Sequence, residues 1–409
     1  MDEHQPGAKY DIAETCCASI SIDELLQLSE NKEATASDIL NTSLVQDYGE
    51  IRGSSALRNN LSRLYSSKVG TALPPDNILI TPGAIAANYI IFYALIEKGD
   101  HVICHWPTYQ QLYTVPESLG AEVSLWKSKE DNKWLPSFDE LESMVKENTK
   151  MIVLKYAPAC AFISLKQRLT DTSNPQNPTG AVLPKSLLTK IIDLAREKDI
   201  IIFSDEVYRP LFHGISPIDK DFPPSILSMG YPKTIATGSL SKAYALAGLR
   251  VGWLASRSKD LVEKCFKARD YTTISVSKLD QAVASFALSP DTIHSLLSRN
   301  IQLAKTNLEL LERFIIKHDE YCSYVKPVAG TTAFVKFERD GKAIDAEKFC
   351  KALQEKTGVF FLPGDVGFGD EFKGYVRMGY VNRTEVIKEG LEELRKFMRK
   401  EYDDLPLSE

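Results

Sequence analysis

Ile200-Ile201-Ile202-Phe203-Ser204-Asp205-Glu206-Val207-Tyr208 decides how this chain folds. Ile200 to Phe203 is a short apolar run rich in β-branched residues, and polar residues follow it without a gap. That pattern predicts a buried parallel strand whose C-terminal end is polar, the place where open α/β sheets hold ligands. Working outward, similar short runs stand at Ile78–Ile80, His101–Cys104, Val123–Trp126, Met151–Leu154, Thr234–Thr237 and Leu249–Leu254, with helical stretches between them. The alternation predicts an α/β fold: a mostly parallel central sheet flanked by helices. A long helix is expected from Asp291 to about His318. A smaller α/β portion follows, with strands near Thr332–Phe337, Gly358–Leu362 and Tyr375–Tyr380, and then a last helix from Thr384 to about Lys400.

The chemistry centres on Thr237-Gly238-Ser239-Leu240-Ser241-Lys242, followed by Gly248-Leu249-Arg250. A lysine attacks an aldehyde only as a free amine, and neighbouring positive charge together with desolvation lowers its pKa. The two serine hydroxyls and Arg250 suit one phosphate beside that lysine. Aldehyde and phosphate on one small molecule describe pyridoxal 5'-phosphate (PLP). Its ring is an electron sink only while a carboxylate keeps the pyridine nitrogen protonated. Asp205 fits that need, and Tyr208 is placed to donate to the ring's phenolic oxygen. Most lysines are solvated, and an Asp at a strand end is more often a helix cap. Only Lys242 and Asp205 together point to PLP.

Asn174-Pro175-Gln176-Asn177-Pro178-Thr179-Gly180, Ser204–Tyr208, Ser239–Lys242 and Gly248–Arg250 together resemble the class I/II aminotransferases, PLP enzymes of fold-type I. The resemblance runs from about Tyr48 to the C-terminal helix, with the motifs in the family's order. It implies that Lys242 forms the internal Schiff base and that Asp205 pairs with the pyridinium. Tyr208 and Asn177 would bind the ring oxygen, and Ser239 with Arg250 would hold the phosphate. Thr81-Pro82-Gly83-Ala84-Ile85 opens an apolar helix, and a glycine turn at a helix N-terminus presents free N–H groups to an anion. Gly83, Ala84 and Ile85 would thus add backbone donors to the phosphate, while Tyr109 would stack on the ring. Arg377, in the alternating run Tyr375–Tyr380, matches the family's clamp for the substrate α-carboxylate, where a planar guanidinium binds both oxygens; Asn177 would assist it. Tyr48 matches a tyrosine that reaches the phosphate of the neighbouring subunit, so the resemblance implies a homodimer with shared active sites. The implied reaction moves an α-amino group between an amino acid and a 2-oxo acid.

The same apparatus supports other outcomes. A β- or γ-eliminating lyase is one. A cyclase is another: Tyr10–Glu14 and Thr108–Gln111 resemble capreomycidine-synthase-like members, which would place the chain in specialised metabolism. Dicarboxylate-specific aminotransferases carry a second arginine, and Arg52 and Arg58, near Tyr48, read instead as surface charges.

Composition narrows the class. At 409 residues the chain exceeds the usual single core of about 250–300, so more than one domain is expected. The division reads as an N-terminal arm that is part of the small domain (1–47), a large PLP-binding domain (48–290) and a C-terminal small domain (291–409). A net charge of −6 and no Lys/Arg patch give no footprint for nucleic acid. No apolar run is long enough for a bilayer, and the first residues resemble neither a secretory signal nor a transit peptide. Seven cysteines without metal-ligand spacing suit reduced thiols in the cytoplasm.

One stretch breaks the family pattern. Tyr156 to Ser173, 18 residues without a clear period, separates the strand ending at Leu154 from the Asn-Pro motif, a connection that is normally short. It reads as a lid over the site or as a translated intron. Codon logic points to the second reading. Lys155-Tyr156 can supply GTAY and Ser173 a terminal AG, and excision rejoins an asparagine codon ahead of Asn174.

Overall fold

The structure is a computed structural model that describes residues 7–66, 72–155, 176–215, 222 and 224–408. The stretch 156–173 read as lid or intron lies outside the described residues.

Seven strands build the main sheet: β1 (Ile78–Thr81), β2 (His101–Trp106), β3 (Glu122–Lys127), β4 (Thr149–Leu154), β5 (Ile201–Asp205), β6 (Thr234–Ser239) and β7 (Gly252–Ser256). They lie in the order β1-β7-β6-β5-β4-β2-β3. Only β7 runs against both its neighbours; the pairs β6-β5, β5-β4, β4-β2 and β2-β3 are parallel. β2, β5, β6 and β7 are buried at every position, as strands covered on both faces must be. Helices α1 (Ala84–Leu95), α2 (Lys185–Glu197) and α3 (Lys259–Arg269) supply part of that cover. α1 is apolar nearly all round, with Ala87, Ile90, Ile91 and Phe92 buried, and it packs on α3 and β7. The parallel strands end together, so Leu154, Asp205 and Ser239 open onto one edge of the sheet.

α4 (Pro290–Lys317) leads to a second sheet of β8 (Cys322–Tyr324), β9 (Thr332–Arg339), β10 (Lys342–Ala343), β11 (Leu362–Pro363) and β12 (Tyr375–Gly379), with α5 (Ala346–Thr357) and α6 (Thr384–Glu401) against it. The expected single strand Gly358–Leu362 is two pieces in two sheets. Gly358 closes α5 in the left-handed region (φ 76°), and Val359–Phe360 then pairs with Tyr10–Asp11. Past Phe361, Leu362–Pro363 joins β12, where Pro363 has no N–H to continue a ladder. Tyr10–Asp11 thereby ties residues 7–20 to the second sheet, and the next residues run back toward the first. The strand expected to begin at Leu249 begins at Gly252, because Ala247–Leu249 forms a 3₁₀ turn ending in Arg250 at φ 51°.

Arg58 is a further correction. It is buried, donating to Gly53 O at 2.9 Å and Pro75 O at 3.2 Å and pairing with Asp76 and Glu50, so it fastens the segment after Tyr48 rather than facing solvent.

Candidate active site

A cavity of about 330 Å³ opens where β4, β5 and β6 end, with the N-terminus of α1 on one side and residues 14–16 on another. It brings together Lys242, Asp205, Tyr208, Asn177 and Arg377, drawn from four separate stretches of sequence.

The phosphate-side residues are built from short segments. Ser239, at the end of β6, donates to Ser241 Oγ at 2.8 Å and accepts from the Ser241 N–H at 3.0 Å. Arg250 reaches Ser241 Oγ at 3.3 Å from its left-handed backbone position. Gly83 precedes α1 with φ 82° and has no side chain to cap it, so the first N–H groups of α1 face the cavity. A Cβ on Gly83 would lie 2.7 Å from Arg250 Nη2, and one on Gly252 would lie 2.4 Å from the Ala84 nitrogen. Both glycines keep the guanidinium and the helix end in one cradle.

The ring-side residues converge from far apart. Asp205, buried at the end of β5, accepts at Oδ1 from the Val207 N–H (3.2 Å). At Oδ2 it meets Asn88 Nδ2 (3.4 Å) and Lys155 Nζ (3.0 Å). Asn88 is held in turn by Thr237 Oγ1 at 2.9 Å. Tyr208 is buried in the wall, and Tyr109, part exposed, lies on the Lys155 side.

Lys242 Nζ donates to Thr15 Oγ1, and lies 3.3 Å from Cys16 Sγ and 3.7 Å from Glu14 Oε1. Burial opposes its charge, yet Tyr208, Cys16 and Glu14 outweigh burial and hold the ammonium above the ordinary lysine value. The sequence pointed the other way, to a lysine lowered by cationic neighbours; the difference comes from residues 14–16, which fold back over the site. Burial together with Glu14 pushes the Cys16 thiol up to about 11, against the pull of Lys242. Glu14 is held below the usual carboxylate range: burial works against its charge, but Lys242 and the Cys16 and Thr15 N–H groups prevail.

Arg377 sits on β12 and is buried, which lowers its pKa, with Tyr208 and Glu14 opposing the fall. Nη1 donates to Asn177 Oδ1 (3.3 Å) and Nη2 to Ala13 O (2.8 Å), while the buried Nε has no partner. Asn177 belongs to a turn fixed by Gln176, whose side chain donates to Pro107 O at 2.6 Å. Tyr48 is absent from the cavity and 75% exposed on the surface of its own chain.

These residues fit PLP. The glycine-lined cradle and the helix end suit a phosphate, Asp205 lies across the cavity for a ring nitrogen, and an unpartnered guanidinium N–H awaits an acid group. In one respect the place is already taken, by Lys155. Sequence reading missed Asn88, Thr15, Cys16, Glu14 and Lys155. A lone amide in the apolar run Ala84–Leu95 was a signal for Asn88; residues 14–16 carried none.

A lysine, a carboxylate and a phosphate cradle around one cavity at the C-terminal ends of parallel strands define an enzyme that works through PLP. The model of the family "Aminotransferase class I and II" matches residues 21–394, and the chain belongs to that family. It is a PLP-dependent aminotransferase of the fold-type I class. The crystal structure of a PLP-dependent aminotransferase from Streptococcus suis superposes with a TM-score of 0.83 at 36% identity, covering 98% of this chain and 96% of that one. An aspartate aminotransferase from Pyrococcus horikoshii is 28% identical, covering 84% of this chain and 81% of its own. Capreomycidine synthase from Streptomyces vinaceus is 27% identical over 78% of this chain and 73% of its own.

Proposed function

We propose that Lys242 is the residue that bonds the cofactor, and that this chain transfers the α-amino group of an amino acid to a 2-oxo acid. The observation that carries this reading is Arg377, buried in the wall of the cavity that Lys242 lines, with its Nε left without a partner. A guanidinium kept short of one hydrogen bond in a dry wall is a receptor for a carboxylate. Arg377 with Asn177 would hold the α-carboxylate, fixing which substrate bond faces Lys242. PLP, when bound, supplies an electrophilic aldehyde carbon and a protonated ring that accepts an electron pair. Asp205, steadied by Asn88, keeps that ring nitrogen charged, while Tyr208 donates to its phenolic oxygen and Tyr109 covers its face. Ser239, Arg250 and the Gly83-Ala84-Ile85 turn anchor the phosphate. Lys242, released as a free amine when the substrate's amine takes its place on the cofactor, would then take the proton from the substrate's Cα.

The assembly is a homodimer. Ile85, Tyr89 and Tyr93 lie exposed on α1, with Tyr271 and Ile274 exposed as well and Thr272 and Thr273 beside Ile85 and Tyr89. An apolar surface of this kind next to a phosphate cradle suits a partner that brings its own Tyr48. Sedimentation at twice the 45.7 kDa chain mass supports this, and a monomer with full activity rejects it. The chain divides at about residues 48 and 290, the arm joining the C-terminal part as the small domain. No helix among the described residues is long and apolar enough to cross a membrane. The six described cysteines are free, which suits the cytoplasm.

Lys242→Ala tests the reading: the visible absorbance of lysine-bound cofactor and essentially all turnover should vanish while the protein stays folded. Near-normal turnover would refute it. A second reading, a cyclase in specialised metabolism, is favoured by the likeness to capreomycidine synthase. Amino donors convert the cofactor to its amine form in an aminotransferase, whereas a cyclase returns it unchanged. A donor panel with 2-oxoglutarate and pyruvate separates the two and identifies the donor.

A further inference from the structure

We propose that Lys155 is an internal stand-in for the cofactor's ring, so that PLP must displace a lysine from Asp205 in order to bind. Lys155 follows β4 directly, and its carbonyl is tied to His105 Nδ1 on β2, which fixes its backbone at the cavity floor. Its ammonium lies 3.0 Å from Asp205 Oδ2, and the two side chains are 3% and 2% exposed. Asp205 Oδ1 is bonded to the Val207 N–H, whereas Oδ2, beside the neutral Asn88 amide at 3.4 Å, is the oxygen that meets the cation. The ammonium also lies 5.3 Å from the Tyr208 ring centre and 5.8 Å from that of Tyr109, between the two aromatics that would border a bound ring.

This inference rests on the assignment of Asp205 to the ring nitrogen. A buried carboxylate bonded only to neutral N–H groups still lacks a compensating charge, so a cofactor-free Asp205 is stabilised by a cation. Lys155 provides it and thereby stabilises the cofactor-free chain. A pyridinium and an ammonium cannot share Oδ2 without two like charges in contact. Binding is therefore an exchange of one cation for another, and the affinity for PLP is lowered by whatever Lys155 contributed. The four-carbon stem lets the ammonium leave while the backbone stays.

The test is titration of the cofactor-stripped full chain with PLP by equilibrium dialysis, together with its thermal midpoint. Lys155→Asn and Lys155→Met should each lower Kd at least about tenfold and lower the midpoint of the cofactor-free protein. The methionine variant removes the charge without adding a polar group, so a folding defect in one variant leaves the other to decide. Lys155→Arg should keep the midpoint and bind no better than the parent. In an Asp205→Asn background, Lys155→Met should change Kd less than twofold, because the shared partner is gone. A Kd in Lys155→Met within twofold of the parent overturns the proposal, as does an equal gain with and without Asp205. If no variant retains PLP, the assignment of the site falls too; if the parent binds as tightly as Lys155→Met, this inference falls alone.

Discussion

The two ends of the cavity are built differently. Most of the phosphate end comes from continuous short motifs, Thr81–Ile85 and Ser239–Arg250, whose side chains hydrogen-bond to neighbours a few residues away. The ring end joins Asp205 to Asn88 and Lys155, which are 117 and 50 residues distant in sequence. A site made of local turns is written in residue order, whereas a site made by sheet topology is visible only after the strands are ordered.

If the ends are also separate in function, binding and rate should come apart. Asp205→Asn is expected to have the largest effect: PLP remains bound through its phosphate contacts, yet turnover falls by orders of magnitude because the ring nitrogen is no longer held protonated. Dialysis and steady-state rates on one preparation check both halves, and unchanged turnover would show that the Asp205 end does not set the rate. Arg250→Ala should do the opposite, weakening PLP binding roughly 10- to 100-fold for the loss of charge-assisted hydrogen bonds while sparing kcat at saturating cofactor. A fall in kcat at saturation would show that the ends are not independent. Asn88→Ala removes a bond to Asp205 without removing the carboxylate and should cost roughly tenfold in kcat, with little change in Kd.

Two histidines buried around the site, His105 on β2 and His213 in the stretch after β5, give a smaller effect through pH. Burial holds His105 down to about 4 and His213 down to about 3, so both stay neutral in the fold. Their unfolded values lie near 6.5, so the unfolded chain takes up protons first as pH falls. Stability is therefore full above pH 6.5 and declines through about 4, by on the order of 3 kcal/mol for each histidine. Thermal midpoints from pH 7 to 4 measure this, and a flat profile would refute it. His105→Asn should shrink the decline.

The sheet and the long helices were legible because their apolar runs are dense: β5 falls within two residues and α4 within one residue of expectation. Gly358–Leu362 was misread as one strand because its apolar content hides a change of sheet at Phe361. Arg58 was read as a surface charge because local sequence cannot show that Gly53 O, Pro75 O and Asp76 converge on it. Lys242, Asp205, Tyr208, Asn177 and Arg377, which line one cavity, could be singled out because their motifs are short and specific. Thr15, Cys16 and Lys155 were missed as neighbours of that site, since their positions follow from how residues 7–20 cross over and where β4 ends. The direction of the Lys242 shift was misjudged for the same reason.

Two lysines line one cavity, Lys155 buried and Lys242 half-buried, so the position of the covalent link has to be located directly. Borohydride reduction of the PLP-loaded protein, digestion and mass spectrometry would locate the phosphopyridoxyl group. The structure predicts that it is carried by the peptide containing Lys242 and is absent from the one containing Lys155. The modification on Lys155, or on neither, would contradict this account.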